Sequence, residues 1–351
     1  MLIYLHIPFC DSKCHYCAFN SYVDKFHLKK LYMEAIIKQL KLELSIFKPE
    51  KNSIKSLFIG GGTPSTVDPK MYSAFFEILR PYLKEDAEIT TEANPNSASF
   101  DWLEEMKKLG VNRISFGVQS FNEEKLKFLG RNHNQKSAIR AVKNAKKVGF
   151  KNISIDLIYG TNLDNKVLLS SDLLVAKTLP INHLSAYSLT IEQNTMFFKK
   201  PHAAKDSLPL ARFFINEIKN MNLPQYEISN FGTYQSVHNL GYWNQDDYIG
   251  IGAGAVGFLK NMRFYPSKDI ESYISNPLHR KIENLSKNDL HVERLFLGLR
   301  SKIGIPKDEF NNKELTNVNI LIKSKNLKSI GDRVFNTDYL LSDELALFIS
   351  A

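Results

Sequence analysis

Over the first two-thirds of the chain, short apolar runs alternate with longer stretches in which apolar residues recur every three or four positions. The short runs are residues 2–7 (LIYLHI), 56–61 (SLFIGG), 88–93 (EITTEA), 113–118 (RISFGV), 153–160 (ISIDLIYG) and 183–190 (HLSAYSLT). They are rich in Ile and Leu and nearly continuous in apolar character, which predicts strands buried on both faces, as in a parallel sheet. The longer stretches predict helices over 28–47, 69–83 with Pro69 near its start, 101–109 closed by Gly110, 136–150 closed near Gly149, and 165–178 closed by Pro180. Proline suits a first helical turn, and glycine suits the position just past a helix end. Six strand–helix repeats predict an α/β fold with a parallel sheet, either doubly wound or part of a (β/α) barrel.

The rhythm breaks near residue 200. Residues 225–258 (QYEISNFGTYQSVHNLGYWNQDDYIGIGAGAVGF) are rich in Gly, Asn and aromatics and read as functional loops more than helix. From about residue 285 a second unit begins. Residues 291–300 (HVERLFLGLR) read as helix, and the end of the chain reads as a short hairpin followed by a helix, a small winged-helix-like α+β tail. The expected organisation is a main unit over 1–220, a connecting segment over 221–284 and a small C-terminal domain over 285–351.

The 351 residues suffice for one large domain and a smaller one. No run of 18 apolar residues is present, and MLIYLHIPFC lacks the basic start and small-residue cleavage site of a secretory signal. Three cysteines in one cluster argue against a disulfide framework and for a reducing, cytoplasmic setting. The chain has 46 basic residues against 37 acidic, a formal charge of +9. That excess is spread out, without a block of five like charges or an arginine stripe, so no nucleic-acid partner is expected. Peripheral docking to an anionic membrane would suit the charge, but no amphipathic helix supports it.

The stretch HIPFCDSKCHYCAFN places Cys10, Cys14 and Cys17 within eight residues, and no other cysteine follows. The spacing is C-x3-C-x2-C. Structural zinc needs four ligands, and His6 or His15 would have to supply the fourth. Covalent c-type haem attachment needs C-x-x-C-H, but Ala18 follows Cys17. A thioredoxin-like pair leaves Cys10 idle. An iron–sulfur cluster on three thiolates keeps one iron open for a small molecule, which accounts for the missing fourth cysteine. On spacing alone, cluster and zinc both stand.

C-x3-C-x2-C just after the first strand, with Tyr16 before the third cysteine, resembles the radical S-adenosylmethionine (radical SAM) superfamily. The resemblance implies a partial (β/α)6 barrel, a [4Fe–4S] cluster on Cys10, Cys14 and Cys17, and S-adenosyl-L-methionine (SAM) at the open iron. It also implies a SAM pocket at the strand ends, the face that carries the sites of barrel enzymes. There it assigns Gly61, Gly62 and Thr63 of GGGTPS, where bare backbone lets a ligand approach. It adds Glu92 of TEANP, Gln119 of GVQSF, Arg131 of LGRNH and Asp156 of DLIYG, together with Tyr4 and Tyr16. Arg131 suits the SAM carboxylate by charge-assisted pairing.

Taken together, YLHIPFC, GGGTPS, NRISFGVQSF, LGRNH, YEISNF and HNLGYW resemble the branch that holds oxygen-independent coproporphyrinogen III oxidases and haem chaperones. Three features bring the chain nearest the chaperones. Phe19 stands where the oxidases carry a further cysteine. Three residues precede Tyr4, where the oxidases have a long N-terminal extension. HNLGYW (238–243) matches the H-N-x-x-Y-W motif of the chaperones. The resemblance implies haem as cargo, with His238 as a candidate iron ligand and Tyr242 and Trp243 against the porphyrin face. His133 and His183 are the alternative ligands. The expected function is haem carriage to acceptor haemoproteins, with a haem donor and an acceptor as partners, and with a homodimer interface placed at the loops around His238. The alternative is oxidative decarboxylation of coproporphyrinogen III. A radical SAM enzyme acting on RNA would fit the charge but has no recognisable RNA-binding module.

Overall fold

The structure, a computed structural model, describes residues 1–351. Six strands pair in sequence order and in parallel: β1 (Leu2–Ile7), β2 (Ile54–Gly61), β3 (Leu83–Ala93), β4 (Arg113–Gln119), β5 (Asn152–Tyr159) and β6 (His183–Ser188). Helices connect them: α1 (Lys29–Phe47), α2 (Ser73–Leu79), α3 (Phe100–Leu109), α4 (Glu123–Phe128), α5 (Gln135–Val148) and α6 (Lys166–Lys177). Their ends follow local chemistry. Ser99, Asn134 and Asn165 cap α3, α5 and α6 through their side chains, and Gly110 and Gly149 close α3 and α5 in the left-handed conformation. The helix expected over 69–83 is shorter, because Pro81 interrupts it and the chain turns into β3.

The sheet does not close. The helix α7 (Leu208–Lys219) follows β6, and β7 (Asn230–Gly232) pairs antiparallel with β6 at one edge. On the other side of β1, β8 (Tyr248–Ile251) pairs in parallel, and β9 (Gly257–Leu259), β10 (Met262–Pro266) and β11 (Arg280–Asn284) extend the sheet as an antiparallel meander. The result is an open, eleven-stranded sheet whose six central strands form a partial (β/α)6 barrel. The stretch over 225–258, read as loops, thus supplies three strands of this sheet. It also holds helix α8 (Val237–Trp243), which is the HNLGYW stretch itself. Asn, Gly and Tyr give that helix little intrinsic propensity. Its order comes from outside, from Ser236 at the N-cap and from the Glu88 carboxylate, which accepts the amides of Val237 at 2.9 Å and His238 at 3.1 Å.

The strands are not apolar on both faces. Ile3, Leu5, Ile7, Leu57, Ile59, Ile114, Phe116, Ile153, Ile155 and Leu184 pack outward with the helices in one core. The alternate positions point into the barrel and are polar, and they bond to one another. Ser115 donates to Asp156 at 3.0 Å, Ser154 and His183 Nδ1 are 2.7 Å apart, and Arg113 reaches His183 at 3.3 Å.

The C-terminal unit has its own core of eleven residues around Leu295, Val334 and Ile349. It comprises α10 (Lys287–Leu299), α11 (Asn312–Lys323) and α12 (Ser342–Ser350) with a small sheet of β12 (Ile305–Pro306), β13 (Leu327–Ile330) and β14 (Arg333–Asn336). A short helix, α9 (Ile270–Ser275), lies between β10 and β11. No helix is long and apolar enough to cross a membrane.

Beside the barrel mouth, the fully buried ammonium of Lys125 donates to the Ile158 carbonyl at 2.6 Å and to Asp164 at 2.7 Å, with Asp172 at 3.8 Å. Asp172 also accepts from Ser120 and from the Phe121 amide. This cluster fixes α4 and the ends of β4 and β5, which carry candidate site residues. Lys125→Ala leaves two buried carboxylates without their cation and is expected to cost about 3–5 kcal/mol of stability. Denaturant unfolding of the variant beside wild type reads this; an unchanged midpoint would contradict it.

Candidate functional site

The loop between β1 and α1 is tied down so that its thiols stay free. Phe9 is fully buried and packs edge-on against Tyr32, with ring centroids 5.5 Å apart. The Cys10 amide donates to the Tyr22 carbonyl at 3.0 Å, and the Tyr22 amide returns a bond to Pro8 at 2.7 Å. Lys13 donates to the Phe19 carbonyl and to Ser21, and His15 Nδ1 meets the Phe128 carbonyl at 2.8 Å. Cys10 is buried and Cys14 and Cys17 are half-buried, all three without a disulfide.

These thiols open onto a cavity of about 520 Å³ at the C-terminal ends of the barrel strands. Cys10, Cys14, Tyr16 and Cys17 form one wall, and Gly61, Gly62 and Thr63 a second. Glu92, Gln119, Arg131 and Asp156 line the same space. Eleven of the twelve residues assigned to cluster or SAM pocket therefore share this one cavity. Tyr4 is the exception. Its hydroxyl is bound to His6 Nδ1 at 3.0 Å, and its ring faces a second cavity beside Tyr242. β1 ends three residues beyond Tyr4, so Tyr4 sits one step deeper in the barrel than the other assigned residues.

Local backbone shapes the walls. Gly61 has φ +113°, and a Cβ there would lie 2.4 Å from the His6 ring. Its amide donates to Glu92 at 3.1 Å. Gln119 sits at φ 68°, rare for a residue with a side chain, where the β4–β5 register slips. That irregularity turns its side chain toward the cavity.

The electrostatics favour a cationic ligand group next to the carboxylates. Burial, and then the neighbouring Asp156, push Glu92 up to about 7. Burial also raises Asp156, opposed by bonds from Ser185 and Ser115. Two carboxyl groups in one dry wall resist joint ionisation, and an ammonium between them relieves that cost. Arg131 is engaged differently from the expectation. It donates to Cys14 Sγ at 3.3 Å and to the Gly117 carbonyl at 2.6 Å, while its buried Nε has no partner. It therefore touches a candidate cluster ligand as well as the ligand cavity.

The residues fit a thiolate-held cluster better than a single metal ion. No three His, Cys, Asp or Glu side chains converge on one ion-sized point. His6 has both ring nitrogens engaged, with Tyr4 and with the Asn20 carbonyl, so it is not available as a fourth zinc ligand. Three soft thiols spaced around one cavity suit a larger iron–sulfur group. Gly62 leaves the room: a Cβ there would come within 3.0 Å of Cys10 Sγ and 2.9 Å of two backbone oxygens.

Comparison with known proteins follows this geometry. Residues 4–168 match the model of the radical SAM superfamily. Bacillus subtilis (strain 168) heme chaperone HemW is 32% identical over 327 residues, covering 88% of this chain and 86% of the relative. Its Escherichia coli (strain K12) counterpart, also named heme chaperone HemW, is 40% identical over 263 residues, covering 73% and 69%. The chain belongs to the HemW family of radical SAM proteins. In fold it resembles coproporphyrinogen III oxidase (HemN) from Escherichia coli, with a TM-score of 0.81 and 19% identity over 99% of this chain and 89% of that one.

The second motif of this HemW-family chain does not join the cavity. His238 is 1% exposed at the barrel floor. Its Nδ1 is 2.8 Å from Ser56 Oγ, its ring lies against Phe58 and Tyr242, and its Nε2 has no partner. Burial, and then Arg113, push its pKa down to about 3, so it stays neutral. His238 thus lies apart from the cysteine cavity, with one ring nitrogen bonded and the other buried without a partner. His133, bonded to the Val118 carbonyl, and His183, held between Ser154 and Tyr226, are buried in the same way. Trp243 is half-buried, with an indole nitrogen that has no partner. Tyr242 lines a second cavity.

Sequence reasoning passed over Tyr187, Asn96, Lys13 and Phe19 as cavity-lining groups. The signal for Tyr187 was present in HLSAYS, where His183, Ser185 and Tyr187 alternate with apolar residues. For His238, the structure predicts a role in stability. His238→Ala leaves Ser56 unpaired and empties a packed site, and is expected to cost about 1–3 kcal/mol. Thermal unfolding checks this, and the haem spectrum of the variant should match wild type. A changed spectrum with unchanged stability would contradict it.

Proposed function

We propose that the chain is a haem chaperone, binding haem and passing it to acceptor haemoproteins, and that it carries a [4Fe–4S] cluster on Cys10, Cys14 and Cys17 with SAM as its second ligand. The observation that carries this reading is the extent of the likeness: relatives named heme chaperone HemW align over 88% of the chain at 32% identity and over 73% at 40%. The cavity supports it. Phe19, 66% exposed at the mouth, stands where the resemblance places a further cysteine in oxidases.

The chain's own residues divide the work. The three thiols supply soft ligands. Arg131 donates to Cys14 Sγ and holds it at the cavity wall. Glu92 and Asp156 offer their carboxylates to an ammonium, and Thr63 holds Cys10 Sγ at 3.4 Å. A bound cluster of this kind would supply electrons and a coordination position for a small molecule. The +9 charge suits an acidic face on a haem donor or acceptor, and three free thiols suit a reducing compartment such as the cytoplasm.

Haem titration of anaerobically purified protein is expected to give stoichiometric binding with a Soret band. In the same preparation, coproporphyrinogen III with SAM and a reductant is expected to remain unconverted. Formation of protoporphyrinogen IX would replace this reading with the oxidase.

A further inference from the structure

A second cavity, of about 330 Å³, lies away from the cysteine loop. Its floor is the inner face of the sheet where it runs on past β1. Tyr248, Phe258 and Arg263 stand directly opposite one another on β8, β9 and β10, so they form one row on one face. Tyr4 stands beside them, opposite Gly250. The roof is built by Tyr242 of α8 and by Glu293 and Leu297 of α10. The cavity therefore sits where the barrel meets the C-terminal unit.

Its chemistry is specific. The walls include the rings of Tyr4, Tyr242, Tyr248 and Phe258: Tyr242 and Tyr248 meet edge to face at 4.7 Å, and Tyr248 and Phe258 lie 5.9 Å apart at 32°. Its cationic group is Arg263, which spans to Glu293 at 2.6 Å with both side chains 27% exposed. Both partners are only partly buried, so a ligand carboxylate can compete with Glu293 for the guanidinium. Gly250 makes the shape possible, because a Cβ there would come within 2.1 Å of the Val256 carbonyl oxygen. The turn that carries Val256 can therefore close directly over the sheet.

We propose that this cavity holds one edge of the haem, with the flat apolar macrocycle between the aromatic side chains and a propionate on Arg263. The inference rests on the haem carriage proposed above and gives that cargo a place. A flat aromatic molecule with carboxylates along one side matches aromatic walls with a guanidinium at the rim. The volume is near the lower end of ligand pockets, roughly 300–1,000 Å³. It admits an edge and leaves the rest of the macrocycle outside, which suits a cargo that must be handed on. It also explains how HNLGYW bears on haem while His238 stays sealed: the motif seats α8 on the barrel floor and so positions Tyr242.

The test titrates cluster-reconstituted full-length protein with haem and with haem dimethyl ester, following the Soret difference spectrum. Val256→Trp, which fills the cavity, is expected to weaken haem binding at least tenfold with iron content unchanged. Arg263→Ala is expected to weaken haem about tenfold while binding the ester as wild type does. If Val256→Trp fails to fold, Phe258→Ala takes its place with the same expectation. Wild-type haem affinity in both the cavity variant and Arg263→Ala overturns this site and leaves the chaperone reading standing. Loss of haem uptake on Phe19→Ala alone places the cargo at the first cavity and overturns it equally. Wild-type protein that takes up no haem overturns the site and the proposed function together.

Discussion

A polar side chain taken out of water must find a partner, and the inside of this barrel is organised by that constraint. Each parallel strand turns apolar residues outward to the helices and polar ones inward. The inward groups then form layers. At the floor, Glu88 receives four donors, from Tyr234, Ser236 and the amides of Val237 and His238, and holds α8 in place. Above it, Arg113, His183 and Tyr226 close a second set of bonds. At the mouth the pairing is left incomplete: Glu92 and Asp156 share one wall, and Arg131 keeps a buried nitrogen free.

The same logic separates the two motifs that stand out in the chain. The cysteine loop is anchored by Phe9 and by backbone bonds, which leaves all three thiols unspent. HNLGYW is used differently: the amide and Nδ1 of His238 help to dock α8, while His238 Nε2 and Trp243 Nε1 stay buried without partners. In the proposed cargo site, the motif acts through Tyr242, which α8 places at the second cavity.

Much of this was legible in the chain. The six parallel strands begin and end within a few residues of their apolar runs, and the helix ends at Gly110 and Gly149 follow from glycine's tolerance of positive φ. The loop thiols and the residues of GGGTPS, TEANP, GVQSF, LGRNH and DLIYG meet at one cavity because strand ends on one side of a parallel sheet must share a face. Three things were not read. The alternation of polar residues in RISFGV or HLSAYS was hidden by the apolar content of the whole run. The helix over Val237–Trp243 depends on a carboxylate 150 positions away in sequence, which no local pattern reveals. The strand over Tyr248–Ile251 is four residues long and glycine-containing, and its pairing with β1 is set by tertiary contact.

The central claim is that Cys10, Cys14 and Cys17 hold one cluster with a position open to SAM in the cavity lined by Glu92, Arg131 and Asp156. Electron paramagnetic resonance of the anaerobically reconstituted, reduced protein, recorded with and without SAM, tests it most directly. The account predicts about four irons per chain and a cubane-type signal that changes when SAM is added. Tightly bound zinc with no reconstitutable iron, or a cluster signal indifferent to SAM, would contradict it.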